Sequence, residues 1–465
     1  MARALAECDV GVDEALALVC GNRPEFVEVM FAAERAGIRV IPIRPDLTPR
    51  EFEYILDDSR AVAVIADNSI SPRLIQLIDQ RKGMRTKLFI GADASAPDSY
   101  RAMLASFEPR PFQRGPIGIP MFYTSGTTGS PKGVYRREPL SRPTMVTIGE
   151  HLKLSSKQDR ALAPVAYCRS GLFNISVRLP LVCGVEVVVT EESDPDNILH
   201  MIAEHRITYA YLTPLLLHRL AQLPKSVREA HDVRSLRHVL HTGAPCPVTI
   251  KHEMIEWLGP IITECYGGTE GGDIIISSQD WLKKAGSVGK ADDRVVILDE
   301  HNGVAPTDTV GRIYLAAPQR GRFEYFNDTE KTQSAYCGDH YTMGDHGYLD
   351  RDGYLFITGR SSEIINSGAL KIYPAEVDAV LLQHASVQDA ACVGVPNSEL
   401  GEEVKAFIKL FPGQKADERI NKELMELCRE HLAPYKCPRQ FAFVDAIPRL
   451  TTGKVLRDTL REQYS

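Results

Sequence analysis

No two of the ten cysteines in this 465-residue chain are spaced as CxxC, and no cysteine–histidine spacing reads as a zinc site. Structural zinc and a dithiol redox motif are therefore set aside, and the cysteines read as the reduced, mostly buried thiols of a cytoplasmic protein. No uninterrupted apolar run approaches the length of a membrane-spanning helix, and the first residues carry no basic, apolar, small-residue leader pattern. No membrane association is expected. An excess of positive charge is missing as well: the formal net charge is −7, which argues against broad nucleic-acid binding. Internal repeats and low-complexity tracts are absent too. What remains is ordinary, with 44% hydrophobic and 25% charged residues, and the length predicts two or three domains.

The chain repeats one local grammar. Apolar strand-like runs at 15–20, 40–43, 61–66 and 87–90 alternate with helix starts at residues 22–26, at Thr48-Pro49-Arg50-Glu51 and at Ser71-Pro72. Thr48 with Glu51 is a capping box with proline in the first helical position. The pattern returns with strands at 185–189 and 207–212, each followed by a start, Asp194-Pro195 and Thr213-Pro214. Strands alternating with capped helices predict an α/β region of parallel sheets flanked by helices, extending to about residue 360. Beyond it, a helix at 374–384, strands at 387–395 and 404–410, a helix at 417–431 and a strand at 439–444 predict a small α+β domain over 361–465.

One stretch concentrates chemistry. Tyr123-Thr124-Ser125-Gly126-Thr127-Thr128-Gly129-Ser130-Pro131-Lys132-Gly133-Val134 packs three glycines, a series of hydroxyls and one lysine together. Glycines let successive backbone N–H groups turn towards one anion, and Lys132 adds charge, so the run suits a triphosphate. It is not a Walker A loop, since Lys132 is neither preceded by glycine nor followed by Ser or Thr. A flexible Ser/Thr/Gly linker is the plainer reading, but a linker seldom ends in Pro-Lys-Gly-Val against an apolar strand.

This run resembles the phosphate loop of the ANL adenylate-forming enzymes, which include acyl-CoA synthetases, stand-alone adenylation domains and luciferases. The resemblance implies that Thr124, Ser125, Gly126, Thr127, Thr128, Gly129 and Lys132 bind ATP, with Thr128 among the catalytic residues. Tyr266-Gly267-Gly268-Thr269-Glu270 resembles the family's YGxTE motif. There Tyr266 would lie against adenine, Gly267 and Thr269 near the nucleotide, and Glu270 would be the catalytic and Mg²⁺-holding carboxylate. Gly243-Ala244-Pro245 resembles the wall of the adenine and acyl pockets. Tyr341-Thr342-Met343-Gly344-Asp345 and Gly359-Arg360 resemble the two ribose-binding elements; taken alone, Asp345 and Arg360 would be a surface pair.

Lys454, in Leu450-Thr451-Thr452-Gly453-Lys454, would by itself be a solvated terminal lysine. In the resemblance it matches the lysine that stabilises charge on the α-phosphate during adenylation. That role requires the 361–465 domain to fold over a 1–360 domain and later move away, about a hinge at Ser362, where Asp or Lys is usual. Ser367-Gly368 would then face the incoming thiol. The implied chemistry joins a small carboxylic acid to Mg·ATP as acyl-AMP and passes the acyl group to coenzyme A. Two alternatives stay open: loading of a carrier protein, and thioesterification of a preformed acyl-AMP without adenylation. Residues 361–378, with Tyr373-Pro374-Ala375-Glu376, resemble acyl-CoA synthetases more than peptide-synthetase domains. A homodimer is the expected oligomer.

Tyr167, Leu172, Phe173, Asn174, His241, Gly243 and Gly268 are the implied acyl-pocket and thiol-tunnel residues. Two departures from the family stand out. Met1 falls inside what is normally a helix, so the chain is short at its N-terminal side by several dozen residues. In Pro164-Val165-Ala166-Tyr167-Cys168-Arg169, Tyr167 takes the place, to within one residue, of the family's pocket histidine. Arg169 reads either as a partner for a second carboxyl group on an uncommon acid or as a surface arginine.

Overall fold

Prolines placed one residue after a hydroxyl or carboxylate start helix after helix in this chain. The computed structural model describes residues 1–93, 95–108, 110, 112, 115–124, 131–141, 143–191, 194–368, 370–450 and 453–464. Thr48 accepts from Glu51 N while Glu51 reaches back to Thr48 N, the full capping box ahead of helix Pro49–Asp58. Asp194 and Thr213 cap helices Pro195–Glu204 and Pro214–Ala221 through Asn197 N and Leu216 N. Asn22 is different. Helix Pro24–Ala36 begins after Arg23 with no side-chain cap, and the Asn22 amide donates to Val165 O at 2.7 Å and Thr190 O at 2.9 Å.

The chain forms two units. The first comprises Met1–Tyr211, Gly267–Asp273 and Ala317–Tyr336. In it, strands Arg39–Ile43, Ala15–Val19, Ala61–Asp67 and Thr86–Ile90 lie in that spatial order, all parallel. Every residue of Ala15–Val19 is buried, as both faces of a parallel sheet demand. A second parallel set pairs Arg160–Ala163 with Glu186–Val189 and with Tyr209–Tyr211. Strands Phe122–Thr124 and Lys132–Arg136 make an antiparallel hairpin, with Phe323–Tyr325 against its second strand.

The second unit comprises Leu212–Tyr266, Ile274–Ala316 and Cys337–Ser465. Strand His238–His241 runs parallel to the strand beginning at Ile262. Between Ser287 and Arg360 a separate antiparallel sheet forms, with Ser287–Lys290, Tyr354–Arg360, Asp345–Leu349 and Gly311–Ala316 side by side. The alternating grammar did not anticipate this stretch. One connection is too short for a crossover helix: residues 350–353 close the hairpin of Asp345–Leu349 and Tyr354–Arg360 through Gly353 N to Asp350 O. After Arg360 come Leu370–Ile372, Ile365–Ser367, Gly401–Leu410 and Val387–Asn397, antiparallel, with Gln440–Phe443 parallel to Gly401–Leu410. Helices Pro374–Leu381 and Glu418–His431 accompany this sheet, and Ile365, Ile372, Leu381, Val404, Ile420 and Leu424 form its buried core.

Candidate functional site

In the first unit the expected phosphate loop is the connection of a β-hairpin, with Thr124 directly opposite Lys132 at its base. Ser125, Gly126, Thr127, Thr128 and Gly129 lie outside the described residues. Lys132 is half-buried, and loss of hydration draws its ammonium below the usual lysine range, against the pull of Asp328. The expected motif Tyr266-Gly267-Gly268 is itself strand, the end of Ile262–Gly268, and Thr269 and Glu270 make the turn into Gly271–Ile276. Gly267 has to be glycine, because a Cβ there would sit 2.6 Å from Gly272 O.

Glu270 is held from two sides. Tyr325 Oη donates to its Oε1 at 2.9 Å, and the Arg136 guanidinium donates to the carbonyls of Glu270 (2.6 Å) and Thr269 (3.2 Å). Tyr325 pairs with Val134 across the hairpin sheet, so the expected phosphate hairpin and the expected metal carboxylate share one framework. Neither Tyr325 nor Arg136 carried any signal in the sequence. A hard cation bound largely through phosphate oxygens and water needs one or two carboxylates, and Glu270 fits that donor set. No cluster of three or more His, Cys, Asp or Glu able to hold a metal exists among the described residues.

In the second unit Asp345 and Arg360 pair across adjacent strands, with Arg360 Nε 2.9 Å from Asp345 Oδ1. Tyr266 Oη donates to Asp345 Oδ2 at 2.8 Å. The expected adenine tyrosine and both expected ribose residues are thus in direct contact. Burial, then the Asp345 charge, pushes the Tyr266 phenol well above the ordinary tyrosine range, so it stays a donor. Lys454 follows Gly453, whose φ of 91° favours glycine. Its Nζ stands 3.8 Å from Glu363 Oε1, and burial followed by Arg360 lowers its pKa against Glu363 and Asp345. Glu363 is shared: Arg457 Nε is 3.0 Å from Oε2, while Arg457 Nη2 reaches Asp378 Oδ2 at 2.7 Å. Lys454, Arg360 and Asp345 therefore lie within one another's electrostatic reach, although 94 residues separate Arg360 from Lys454.

Gly243, with φ 92°, and Pro245 are exposed, and Ala244 is half-buried. His241 is fully buried; neither ring nitrogen has a hydrogen-bond partner, and Nε2 lies 3.6 Å from Glu264 Oε2. Burial, with Lys251 nearby, drives its pKa far below the usual value. Ser362 sits in the exposed turn Ser361–Glu363, directly after the strand that ends at Arg360. Ser367 is buried at a strand end, and Gly368, φ 63°, turns the chain towards Leu370–Ile372 while donating to Leu400 O.

In the first unit Tyr167, Leu172 and Phe173 are buried, with the Tyr167 ring 5.8 Å from Phe26 and 6.3 Å from Phe173. Asn174 begins a π-turn, Asn174–Arg178, between helical segments Ser170–Phe173 and Leu179–Val182. Arg169 is half-buried, and its Nε is sealed from solvent with no hydrogen-bond partner.

Beside the expected hinge, His346 Nδ1 is 3.2 Å from Ser361 Oγ, and burial followed by Arg312 lowers the imidazole to about 4. Between pH 4 and 6.5 the unfolded chain binds a proton here that the native chain refuses, so this contribution is complete above the ordinary histidine value and is lost as pH falls. The melting temperature is expected to drop across that window, and His346→Gln is expected to reduce the drop. An identical profile in the variant would assign the effect elsewhere.

An α/β chain with a glycine- and hydroxyl-rich hairpin, a Tyr–Asp–Arg cluster and a C-terminal lysine beside it is the outline of a nucleotide-dependent enzyme. Residues 1–322 match the AMP-binding enzyme family, and residues 376–454 match the AMP-binding enzyme C-terminal domain. The chain belongs to that family. It is 30% identical over 473 residues to human acyl-coenzyme A synthetase ACSM5, mitochondrial, covering 98% of this chain and 80% of the relative. The 2-succinylbenzoate–CoA ligase of Geobacillus kaustophilus (strain HTA426) is 31% identical, with 99% and 90% covered. Among solved structures, the anthranilate CoA ligase AuaEII in complex with anthranoyl-AMP superposes with a TM-score of 0.87 at 25% identity, over 99% of this chain and 89% of that one.

Proposed function

We propose that this chain is an AMP-forming acyl-CoA ligase. A carboxylate attacks the α-phosphate of ATP, pyrophosphate leaves, and the thiol of CoA then takes the acyl group from acyl-AMP. The observation that carries the reading is the approach of Lys454 to the Asp345–Arg360 pair. Two curated relatives bear the names acyl-coenzyme A synthetase and CoA ligase, and a solved neighbour holds an acyl-adenylate.

The residues divide the work by charge. Asp345 accepts from the ribose hydroxyls while Arg360 and Tyr266 fix the orientation of its carboxylate. Lys132 and the hydroxyls of residues 124–130 receive the phosphates. Glu270, oriented by Tyr325, would hold Mg²⁺, which when bound offsets phosphate charge. Lys454 places a fixed positive charge where the pentavalent phosphate and leaving pyrophosphate gather negative charge. No covalent enzyme intermediate is needed, so positioning and electrostatics carry the rate. Residues 361–465, with their own core, act as a mobile domain hinged at Ser362 that withdraws Lys454 and brings the Ser367–Gly368 turn to the thiol. None of the ten cysteines is in a disulfide, which suits a reducing compartment such as the cytoplasm.

Incubation with a panel of acids, ATP, Mg²⁺ and CoA is expected to yield AMP and an acyl-CoA mass in equal amounts for particular acids. Release of ADP in place of AMP would overturn the reading.

A further inference from the structure

We infer that Arg169 is the cationic end of the acid site and that the acid this chain activates carries a second carboxylate. The inference rests on the ligase reading above. The segment carrying Arg169 lies near the segments that follow two other strands. The segment after Arg160–Ala163 is pinned by Asn22, just beyond Ala15–Val19, which accepts from Tyr167 N at 3.1 Å and donates to Val165 O. Arg44 and Asp46 follow Arg39–Ile43, and both lie close enough for their charges to act on Arg169. Ligands of open α/β sheets bind beyond such carboxyl ends.

The charges here do not balance. Arg44 donates from Nε to Asp46 Oδ1 at 2.8 Å and makes a second contact to Oδ2, so each satisfies the other. Asp46 is held below the usual carboxylate range chiefly by that bond. Arg169 is left with its full charge. It has no ion-pair partner among the described residues, its Nε is enclosed without an acceptor, and burial is the main influence opposing its charged form. A guanidinium does not discharge by losing its proton at any ordinary pH, and a half-buried charge with no ion-pair partner gives up part of its hydration without return. Its planar fork matches a carboxylate in bidentate geometry, and a ligand carboxylate supplies the missing anion.

The test is ATP–pyrophosphate exchange without CoA, using straight-chain and aromatic dicarboxylates, each beside the monocarboxylate of the same skeleton. The wild type is expected to prefer at least one dicarboxylate. In Arg169→Met the ratio of kcat/KM for that acid over its monocarboxylate is expected to fall at least about tenfold through KM, with partial recovery in Arg169→Lys. Because the variant removes a half-buried charge that has no ion-pair partner among the described residues, its melting temperature should hold or rise, whereas a purely structural arginine would lower it. A wild type indifferent to the second carboxylate, or an unchanged ratio in Arg169→Met, overturns the inference while leaving adenylation standing. A rise confined to the KM for ATP or CoA would assign the anion to a phosphate and overturn it as well. Absence of exchange with every acid would count against the ligase reading instead. Thermal stabilisation by the same dicarboxylates then decides Arg169: stabilisation of the wild type alone supports it, and equal stabilisation of the variant overturns it.

Discussion

Lys454→Ala is expected to slow acyl-AMP formation by about a hundred- to a thousandfold while sparing thioester formation from a synthetic acyl-AMP. The asymmetry follows from position. Lys454 lies within electrostatic reach of Asp345 and Arg360, so its charge acts where the nucleotide is bound. Its burial weakens competing hydration, and Glu363 Oε1 lies 3.8 Å from the ammonium. Negative charge grows at the α-phosphate during adenylation, and a preformed adenylate has already passed that barrier. Single-turnover rates for the two half-reactions measure the split. Equal losses in both would mean that Lys454 supports the fold or the binding of AMP and not the first transition state.

Glu264→Ala is expected to cost about 3–5 kcal/mol of stability. Lys251 is wholly buried, its Nζ bonded to Glu264 Oε2 and 4.8 Å from the centre of the Trp281 ring. Removing the carboxylate strands an ammonium in the interior, beside a His241 ring that has no hydrogen bond of its own. The double variant Lys251→Met/Glu264→Leu removes both charges at similar volume and is expected to recover most of the loss. Urea unfolding of the wild type, the single variant and the double variant compares the three directly. A double variant as unstable as the single one would show that shape, and not the unpaired charge, sets the cost.

Much of the fold was legible because its signals are local. Thr48, Asp194 and Thr213 announce helices through side chains that bond within the next turn, and strand Ala15–Val19 is apolar throughout because both its faces are covered. Asn22 shows where local reading fails: it has the residue type of a cap, but its amide bonds Val165 and Thr190, far away in sequence. The hairpin of Asp345–Leu349 and Tyr354–Arg360 was hidden for a similar reason, since its pairing direction is set by the short turn at residues 350–353 and not by the strands themselves. In the site, charged residues in short motifs could be named, including Asp345, Arg360, Glu270 and Lys454. Their partners could not. Tyr325 on Glu270 and Glu363 beside Lys454 are contacts across 55 and 91 residues, and no spacing encodes them. Tyr167 was expected as a pocket wall, and in the structure its ring lies among Phe26 and Phe173 with its hydroxyl unpaired.

The central claim is that this chain activates a carboxylic acid as its adenylate. Exchange of labelled pyrophosphate into ATP, dependent on added acid and run without CoA, tests it most directly. The account predicts exchange with a subset of acids and its near loss in Lys454→Ala. Thioester formation from synthetic acyl-AMP, with no exchange for any acid in the panel, would contradict it and leave an enzyme of the second half-reaction alone.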